Sequence, residues 1–474
     1  MGKKTPFRLR RADNDPRAAA LAALFRVVHQ HADSQAALDA VLLSPRLAPT
    51  DKKLCTELVY GTLRRYAGLH ALVCGFLSDP EGIPEEMLLA LVLAAYETAF
   101  LRTPHRAPVG WAVEHIRNRF GRVLAGVGNG VLRSVQRGLD GYRASLAAGE
   151  SPDASLPELA AACGLPEELV GVWAAAYGRE EITGLIRASC RAAPSGLRLN
   201  RSRPGWEALR ENILRDAAEL NAAHGKEAFA VGPCVLTFAG AMPLSAHRAV
   251  AEGRASRQSA ASYEVLQAFF PEDRPQPLWD CCAGRGGKTL ALLEQGIPVT
   301  LATDRSVRRL HALVQECARL GIADSLRPLT AVSDLAEEPL PPACLPKTGG
   351  KAGLSGARTL PERFGTILFD APCSGLGTLA RRPEIRLRRR REDLEAATAL
   401  QSRILDRLWP LLRPGGRIVY ITCTVNPAEN EGQVAAFLAR HPEALSGREF
   451  RTPFSSPLGE FFYGAELIRE CKPS

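Results

Sequence analysis

PLWDCCAGRGGKTLALLEQGIPVTLATD (residues 277–304) reads as a strand, a glycine turn, a helix and a second strand. The apolar run PLWDCC (277–282) ends on the small residues of AGRGGKT (283–289), and PVTLATD (298–304) begins the next strand. Strands that alternate with helices are the mark of a parallel sheet with helical crossovers. A glycine turn lets the backbone come close to a ligand and aims free N–H groups at it. Register excludes two common nucleotide motifs. A phosphate-binding loop needs glycine five residues before Gly287, where Cys282 stands, and a dinucleotide fingerprint begun at Gly284 needs glycine at Thr289. What remains is an acid on the strand (Asp280), a short glycine loop, and an acid ending the next strand (Asp304). Asp304 lies roughly twenty residues on, where a carboxylate can accept from ribose hydroxyls. The plain alternative is a structural turn with no ligand.

The alternation continues towards the C-terminus. GTILFD (365–370), RIVYITCT (417–424) and EFFYGAELIR (460–469) are strand candidates, and EDLEAATALQSRILDRLWPLL (392–412) is a helix between them. EPLPPACLPKTGGKAGLSGARTLPER (338–363) is rich in proline and glycine and basic, as suits a surface loop inserted between sheet elements. FDAPCSGLG (369–377) sets Asp370, Pro372 and Cys373 just past one strand's carboxyl end, and YITCTVNPAEN (420–430) sets Cys423 at the end of the following strand. In an open α/β sheet those ends line the ligand crevice. A lone cysteine beside a buried strand is ordinarily a small core residue; two in matched positions point to chemistry. C5 of cytosine is a poor nucleophile, but a thiolate added to C6 makes the ring enamine-like and gives C5 the electrons to attack a sulfonium methyl. A carboxylate such as Asp370 can hydrogen-bond near N3 and N4 of the ring, and a second basic group must remove the C5 proton.

Upstream the pattern is different. Asp15-Pro16 is a helix cap, and Leu21, Leu24, Phe25 and Val28 share one helical face. Leu88, Leu91, Val92, Ala95, Tyr96 and Phe100 repeat the spacing, as do Val109, Val113, Ile116 and Phe120, and a helix with a basic face starts at GNGVLRSVQR (128–137). These stripes predict an all-α bundle over 15–140. GYRASLAAGESPDASL (141–156) reads as a linker, and 155–255 as a small α+β connecting region with strands at APSGLRLN (193–200) and VGPCVLTF (231–238). The α/β domain then spans 256–474. With 474 residues, 46% hydrophobic and 23% charged, the chain is of the folded class and long enough for several cores. It has neither a membrane-length apolar run nor a secretory signal. A net charge of +9 favours polyanions, nucleic acid first. Twelve scattered cysteines without a CxxC pair signal neither zinc nor disulfides and fit reduced thiols in a cytoplasmic protein.

These segments resemble the NOP/Sun family of RNA 5-methylcytosine methyltransferases. The resemblance rests on LWDCCAGRGGKT (278–289), DAPCSGLG (370–377), YITCTVNPAENE (420–431), RRPEIRLRRRREDL (381–394) and FFYGAELIR (461–469), with RLN (198–200) and GRASRQSAAS (253–262) ahead of them. The helices, with LVYGTLRR (58–65) and NGVLRSVQR (129–137), look like a NusB-like RNA-binding domain. The resemblance implies a Rossmann-like class I methyltransferase domain, S-adenosylmethionine as cofactor and no metal. It implies RNA as partner, that of the small ribosomal subunit, with C5 of cytosine 967 the finest assignment. It implies Cys423 as nucleophile, Cys373 in product release, Asp370 as catalytic acid and Lys288 as the motif lysine. The cofactor would be held by Cys282, Ala283, Gly284, Arg285, Gly286, Gly287, Lys288, Asp304, Arg305, Asp334 and Asp370. Arg381, Arg382, Arg386, Arg388 and Arg389 would grip RNA phosphates, although an arginine run is ordinarily a solvated face. No membrane partner and a monomer are expected. Two positions depart from the family pattern: Arg285 stands where proline is usual, and Ser259 follows Gln258 where aspartate is usual. Two other readings remain at this point. One is a non-catalytic RNA-binding ribosome-assembly factor that keeps the fold; the other is a methyltransferase for protein or small molecules.

Overall fold

Asp15 accepts the amide of Arg17 at 2.9 Å and Pro16 presets the first turn, so the first described helix starts where the sequence placed it. The computed structural model describes residues 14–151, 153–222, 225–271, 274–337 and 360–471. They form two compact units: residues up to 191 with 379–389, and residues 192–378 with 390 onwards.

The first unit is helical: α1 (Pro16–His29), α2 (Ser34–Leu42), α3 (Pro49–Cys74), α4 (Glu85–Phe100), α5 (Arg106–Phe120), α6 (Arg122–Gly149), α7 (Leu156–Cys163), α8 (Glu167–Tyr177) and α9 (Arg179–Ser189). α4 is apolar nearly all round and is the bundle's axis, with Leu89, Leu91, Val92 and Leu93 all buried. Its fully buried acid, Glu97, is held by both forks of Arg17 at 2.8 and 2.7 Å. The expected linker at 141–156 is corrected: α6 runs through Gly149. Leu146 is buried, Tyr142 packs on the bundle core, and Arg143 donates to the Ala99 carbonyl, so tertiary contacts carry the helix onward. A capping box, Ser155 with Glu158, then opens α7.

The second unit holds α10 (Trp206–Asn221), α11 (Leu244–Ala251), α12 (Ala260–Phe269), α13 (Gly287–Glu294), α14 (Val307–Leu320), α16 (Arg391–Leu408) and α17 (Glu431–Arg440); the short α15 (Ile385–Arg388) falls in the first. Strands β1 (Ser195–Leu199), β2 (Ala228–Val231), β3 (Val235–Phe238) and β4 (Ala255–Arg257) form an antiparallel sheet in the order β2-β3-β1-β4. The strand expected at 231–238 is thus two, folded back at Gly232, whose φ of +65° suits glycine. The region read as one connecting domain, 155–255, is divided: α7 to α9 join the bundle, and 192–255 join the larger unit.

The main sheet has seven strands: β5 (Leu278–Asp280), β6 (Leu301–Asp304), β7 (Leu329–Val332), β8 (Phe364–Asp370), β9 (Leu412–Thr422), β10 (Ala444–Arg451) and β11 (Tyr463–Arg469). Their order is β10-β11-β9-β8-β5-β6-β7, parallel from β7 to β9 and antiparallel at β11 and β10. The chain leaves β5 towards β6 and later returns to its other side as β8, so the order reverses between β5 and β8. At such a switch point the crossovers diverge and leave a crevice at the carboxyl ends. β5 and β8 are buried on both faces, which explains their unbroken apolar runs. Most of the expected insertion, 338–359, lies outside the described residues. Among the described residues no single helix is long and apolar enough to cross a membrane.

Candidate active site at the switch point

β5 delivers Asp280 and then the glycine loop to the crevice. Asp280 is buried, and one of its oxygens accepts the Thr289 hydroxyl at 2.5 Å. Burial pushes this carboxyl up to about 7, with the Thr289 hydrogen bond opposing and the nearby Asp370 charge adding to the rise. Gly284 and Gly286 are left-handed, at φ +58° and +87°. A side chain at Gly286 would meet Leu313 at 2.7 Å, whereas Gly284 faces open space. The loop is therefore packed behind and clear in front, a cradle for a ligand's backbone contacts. Asp304, only 6% exposed, accepts the Gly284 amide at 3.0 Å and the Ser306 amide at 2.8 Å. The Ser333 amide reaches the Asp304 carbonyl at 3.2 Å, which sets Asp334 at the neighbouring strand end. Asp334, half-buried, accepts the Ala336 amide at 3.0 Å. Ala283 is buried, Cys282 half-buried, and Arg285 and Arg305 are exposed. Residues 282–288 with Asp304 thus fit a small polar cofactor that lies on backbone amides.

β8 and β9 pair in parallel with Asp370 opposite Ile421, and the Ala371 amide bonds the Ile421 carbonyl at 2.8 Å. This register brings the next turns together, and Cys373 Sγ lies 3.2 Å from Cys423 Sγ. The Cys373 thiol is pushed well above the ordinary thiol range, first by its hydrogen bond to the Cys423 sulfur and then by burial. Two thiols in contact do not both ionise readily, so the pair titrates as a unit. Lys288 donates to Asp370 at 2.6 Å. Burial alone would lower its ammonium, but the Asp370 charge and hydrogen bond outweigh burial and the net shift is upward. Lys288 is only 8% exposed and remains a fixed cation beside the thiols. The Gly377 amide donates to the Cys423 carbonyl at 3.0 Å; any side chain there would collide with the Phe461 carbonyl.

The structure places the five arginines in the helical unit, and Arg386 needs a correction. It is 3% exposed and spans the carbonyls of Cys163 (2.7 Å), Ser189 (2.5 Å) and Leu379 (3.3 Å), so its donors serve the bundle's own backbone and not RNA. Arg388 gives one nitrogen to the carbonyls of Val27 and Ala32. Arg382 is exposed and pairs loosely with Asp33 at 3.3 Å, while Arg381 and Arg389 are half-buried. Ser259 caps α12 by accepting the Ser262 amide, a task aspartate performs equally, which accounts for this departure.

Sequence reasoning missed the supports. Arg198 on β1 is buried and grips Glu294 at 2.7 and 2.9 Å; it also donates to the Gly287 carbonyl at 3.0 Å and to Gln258. One side chain thus braces both ends of α13, the helix that follows the glycine loop. Gln401 and Glu429, both buried, tie the two cysteine turns. A signal did exist: Arg198 is a charged residue inside the buried strand β1, and NPAEN is a polar run directly after β9.

A family model described as 16S rRNA methyltransferase RsmB/F matches residues 267–460, and the NusB family model matches 14–137. Ribosomal RNA small subunit methyltransferase B of Vibrio cholerae serotype O1 is 32% identical over 439 residues, 90% of each chain. The probable methyltransferase B of Bacillus subtilis is 30% identical over 428 residues, covering 90% of this chain and 88% of its own. The crystal structure of PH0851 superposes with a TM-score of 0.68 at 21% identity, over 95% of this chain and 98% of that one, so the fold is shared.

Proposed function

The chain belongs to the RsmB/F family of 16S rRNA methyltransferases, and on that premise we propose that it methylates C5 of a cytosine in small-subunit ribosomal RNA through a bond from Cys423 to C6. The observation that carries this reading is the Cys373–Cys423 sulfur pair at 3.2 Å, set at adjacent strand ends beside Lys288–Asp370 and the glycine loop's crevice. At the finest, the target is cytosine 967.

Residues 282–288, Arg305 and Asp334 would hold the cofactor, with Asp304 available to its ribose hydroxyls and Asp370 beside the reacting base. S-adenosylmethionine supplies an electrophilic methyl group when bound. Cys423 thiolate adds to C6, and the electrons of the C5–C6 double bond pass to the ring. The Asp370 carboxylate accepts from the ring's N4 amino group, which orients the base, while Lys288 fixes that carboxylate in place. C5 would then take the methyl group as the donor's S–CH3 bond breaks, its electron pair staying on the sulfur of the departing S-adenosylhomocysteine. The C5 proton passes to a base, the electron pair re-forms the double bond and expels Cys423, and the Cys373 thiol, in contact with that sulfur, donates to it as it leaves. Exposed basic groups of the helical unit, Arg382 among them, attract the RNA backbone, and the crevice takes an unpaired or flipped-out base.

Cysteine variants test this reading with radiolabelled methyl donor and a small-subunit RNA transcript. Cys423→Ala should abolish transfer and trap nothing. Cys373→Ala should accumulate a protein–RNA adduct that survives denaturing gels and needs the methyl donor. An adduct in Cys423→Ala but not in Cys373→Ala reverses the roles, and full activity in both ends the covalent route. Bisulfite sequencing of RNA from cells lacking the protein should show the loss of one 5-methylcytosine, at 967.

A further inference from the structure

The two cysteines sit just past the ends of β8 and β9, where the Gly377 amide bonds the Cys423 carbonyl, and their sulfurs are in contact. What holds them is a buried carboxylate 6 residues beyond Cys423. Glu429 is fully buried, and its Oε2 accepts the Ser374 amide at 2.8 Å and Gln401 Nε2 at 3.0 Å. The same Gln401 amide group donates to the Pro372 carbonyl at 3.0 Å. The backbone on either side of Cys373 is therefore fastened to one Glu–Gln pair. Glu429 Oε1 accepts Asn426 Nδ2 at 3.0 Å, the Asn426 amide reaches Thr424 Oγ1, and that hydroxyl lies 2.6 Å from Ser374 Oγ. A closed ring thus runs from the residues beside Cys373 to those after Cys423. Tyr420 completes it, its hydroxyl donating to the Glu429 carbonyl at 2.6 Å.

We propose that Glu429, acting with Gln401, is a positioning residue that clamps the Cys373 turn against the Cys423 turn and so holds the release sulfur on the nucleophile. The proposal rests on the covalent reading above. A buried carboxylate is costly unless every lone pair is engaged, and here three donors converge on it. A merely structural bond would not need a charge. The charge also bears on the pair: after the Cys423 hydrogen bond and burial, Glu429 is a further cause that keeps the Cys373 proton on.

Glu429→Gln keeps the volume but turns one accepting atom into an NH2 that faces another donor, either Ser374 N–H with Gln401 or Asn426. Gln401→Met keeps the length and removes the donor to Pro372. Two readouts apply to the full chain. With RNA and methyl donor, release of the adduct should slow at least about tenfold in both variants, so that trapped RNA rises while S-adenosylhomocysteine affinity stays unchanged. Without RNA, diamide should link Cys373 to Cys423 in the wild type, the two thiols losing their hydrogens as diamide is reduced to the hydrazine. Peptide mapping should show that link forming at least about tenfold more slowly in the variants. Should Glu429→Gln fail to fold, Gln401→Met alone decides. Wild-type release and linking rates in the folded variants overturn the clamp, as does a parallel fall of adduct and product with a lower melting temperature. If Cys373→Ala traps nothing or Cys423→Ala still methylates, the covalent reading has failed instead.

Discussion

Replacing Arg198 separates what an ion pair does for stability from what it does for cofactor binding. Its guanidinium and the Glu294 carboxylate are each 2% exposed. Arg198→Met leaves that carboxylate buried without a partner, a loss of about 3–5 kcal/mol. Arg198→Met with Glu294→Leu removes both charges and fills the space with apolar atoms, which costs little, about 1 kcal/mol or less. In both variants, however, the Gly287 carbonyl loses the arginine's bond at 3.0 Å and keeps the Gln258 side chain at 3.3 Å. One hydrogen bond at about 1 kcal/mol predicts roughly fivefold weaker binding on the loop that precedes α13. The assay is a urea melt following the transition that S-adenosylhomocysteine raises, which identifies the second unit, joined to calorimetric titration of the same ligand. The single variant should lose most stability, the double should recover it, and neither should recover affinity. A double variant as unstable as the single, or one that binds as the wild type does, refutes the argument.

Asp280→Asn should flatten a pH dependence of stability. Because the folded carboxyl is raised to about 7 from 3.8, the wild type gains stability from this group at low pH and loses it as pH climbs through that window. The loss should be on the order of a few kcal/mol by urea midpoints, and a variant with the wild-type slope excludes Asp280 as its source. Arg386→Ala should destabilise the helical unit by roughly 3 kcal/mol, with little change in the salt dependence of RNA binding. Arg382→Ala should do the opposite, reducing the salt slope by about 1 with melting unchanged; the reverse pattern in filter binding and melting would overturn the assignment. Asp304→Ala should lose at least about 1.5 kcal/mol of S-adenosylmethionine binding by calorimetry, and unchanged affinity would remove it from the site.

Strands buried on both faces were legible because burial leaves an unbroken apolar run: β5 and β8 stood out at once. β10, ALSGREFR, was not read as a strand because it is a sheet edge with mostly exposed side chains, and its pairing with β11 leaves no trace in local pattern. The cysteines and the glycine loop were legible because they lie next to such strands. Their supports were not, since Arg198 meets Glu294 across 96 residues and Ser374 meets Glu429 across 55. The arginine run misled for a related reason. Nothing in RRPEIRLRRRR says that Arg386 turns inward while Arg382 stays out; the carbonyls that receive Arg386 come from Cys163 and Ser189, far upstream.

Residues 379–389 belong to the helical unit although the chain on either side of them belongs to the other unit. Leu387 packs on the bundle core and Arg386 is buried among its helix ends, so this stretch behaves as a peptide ligand whose receptor happens to be encoded in the same chain. The tether gives it an effective concentration in the millimolar range or above, about what a weak groove binder needs to stay bound. Cutting between 191 and 192 would therefore not release the bundle, because the peptide would still hold it. Removing the bundle genetically would leave an orphaned ligand, with Ile385 and Leu387 exposed and Arg386 stripped of its carbonyls. The two units are thus not beads on a string that recombination can exchange freely; a bundle that moves to another chain must find this peptide waiting there.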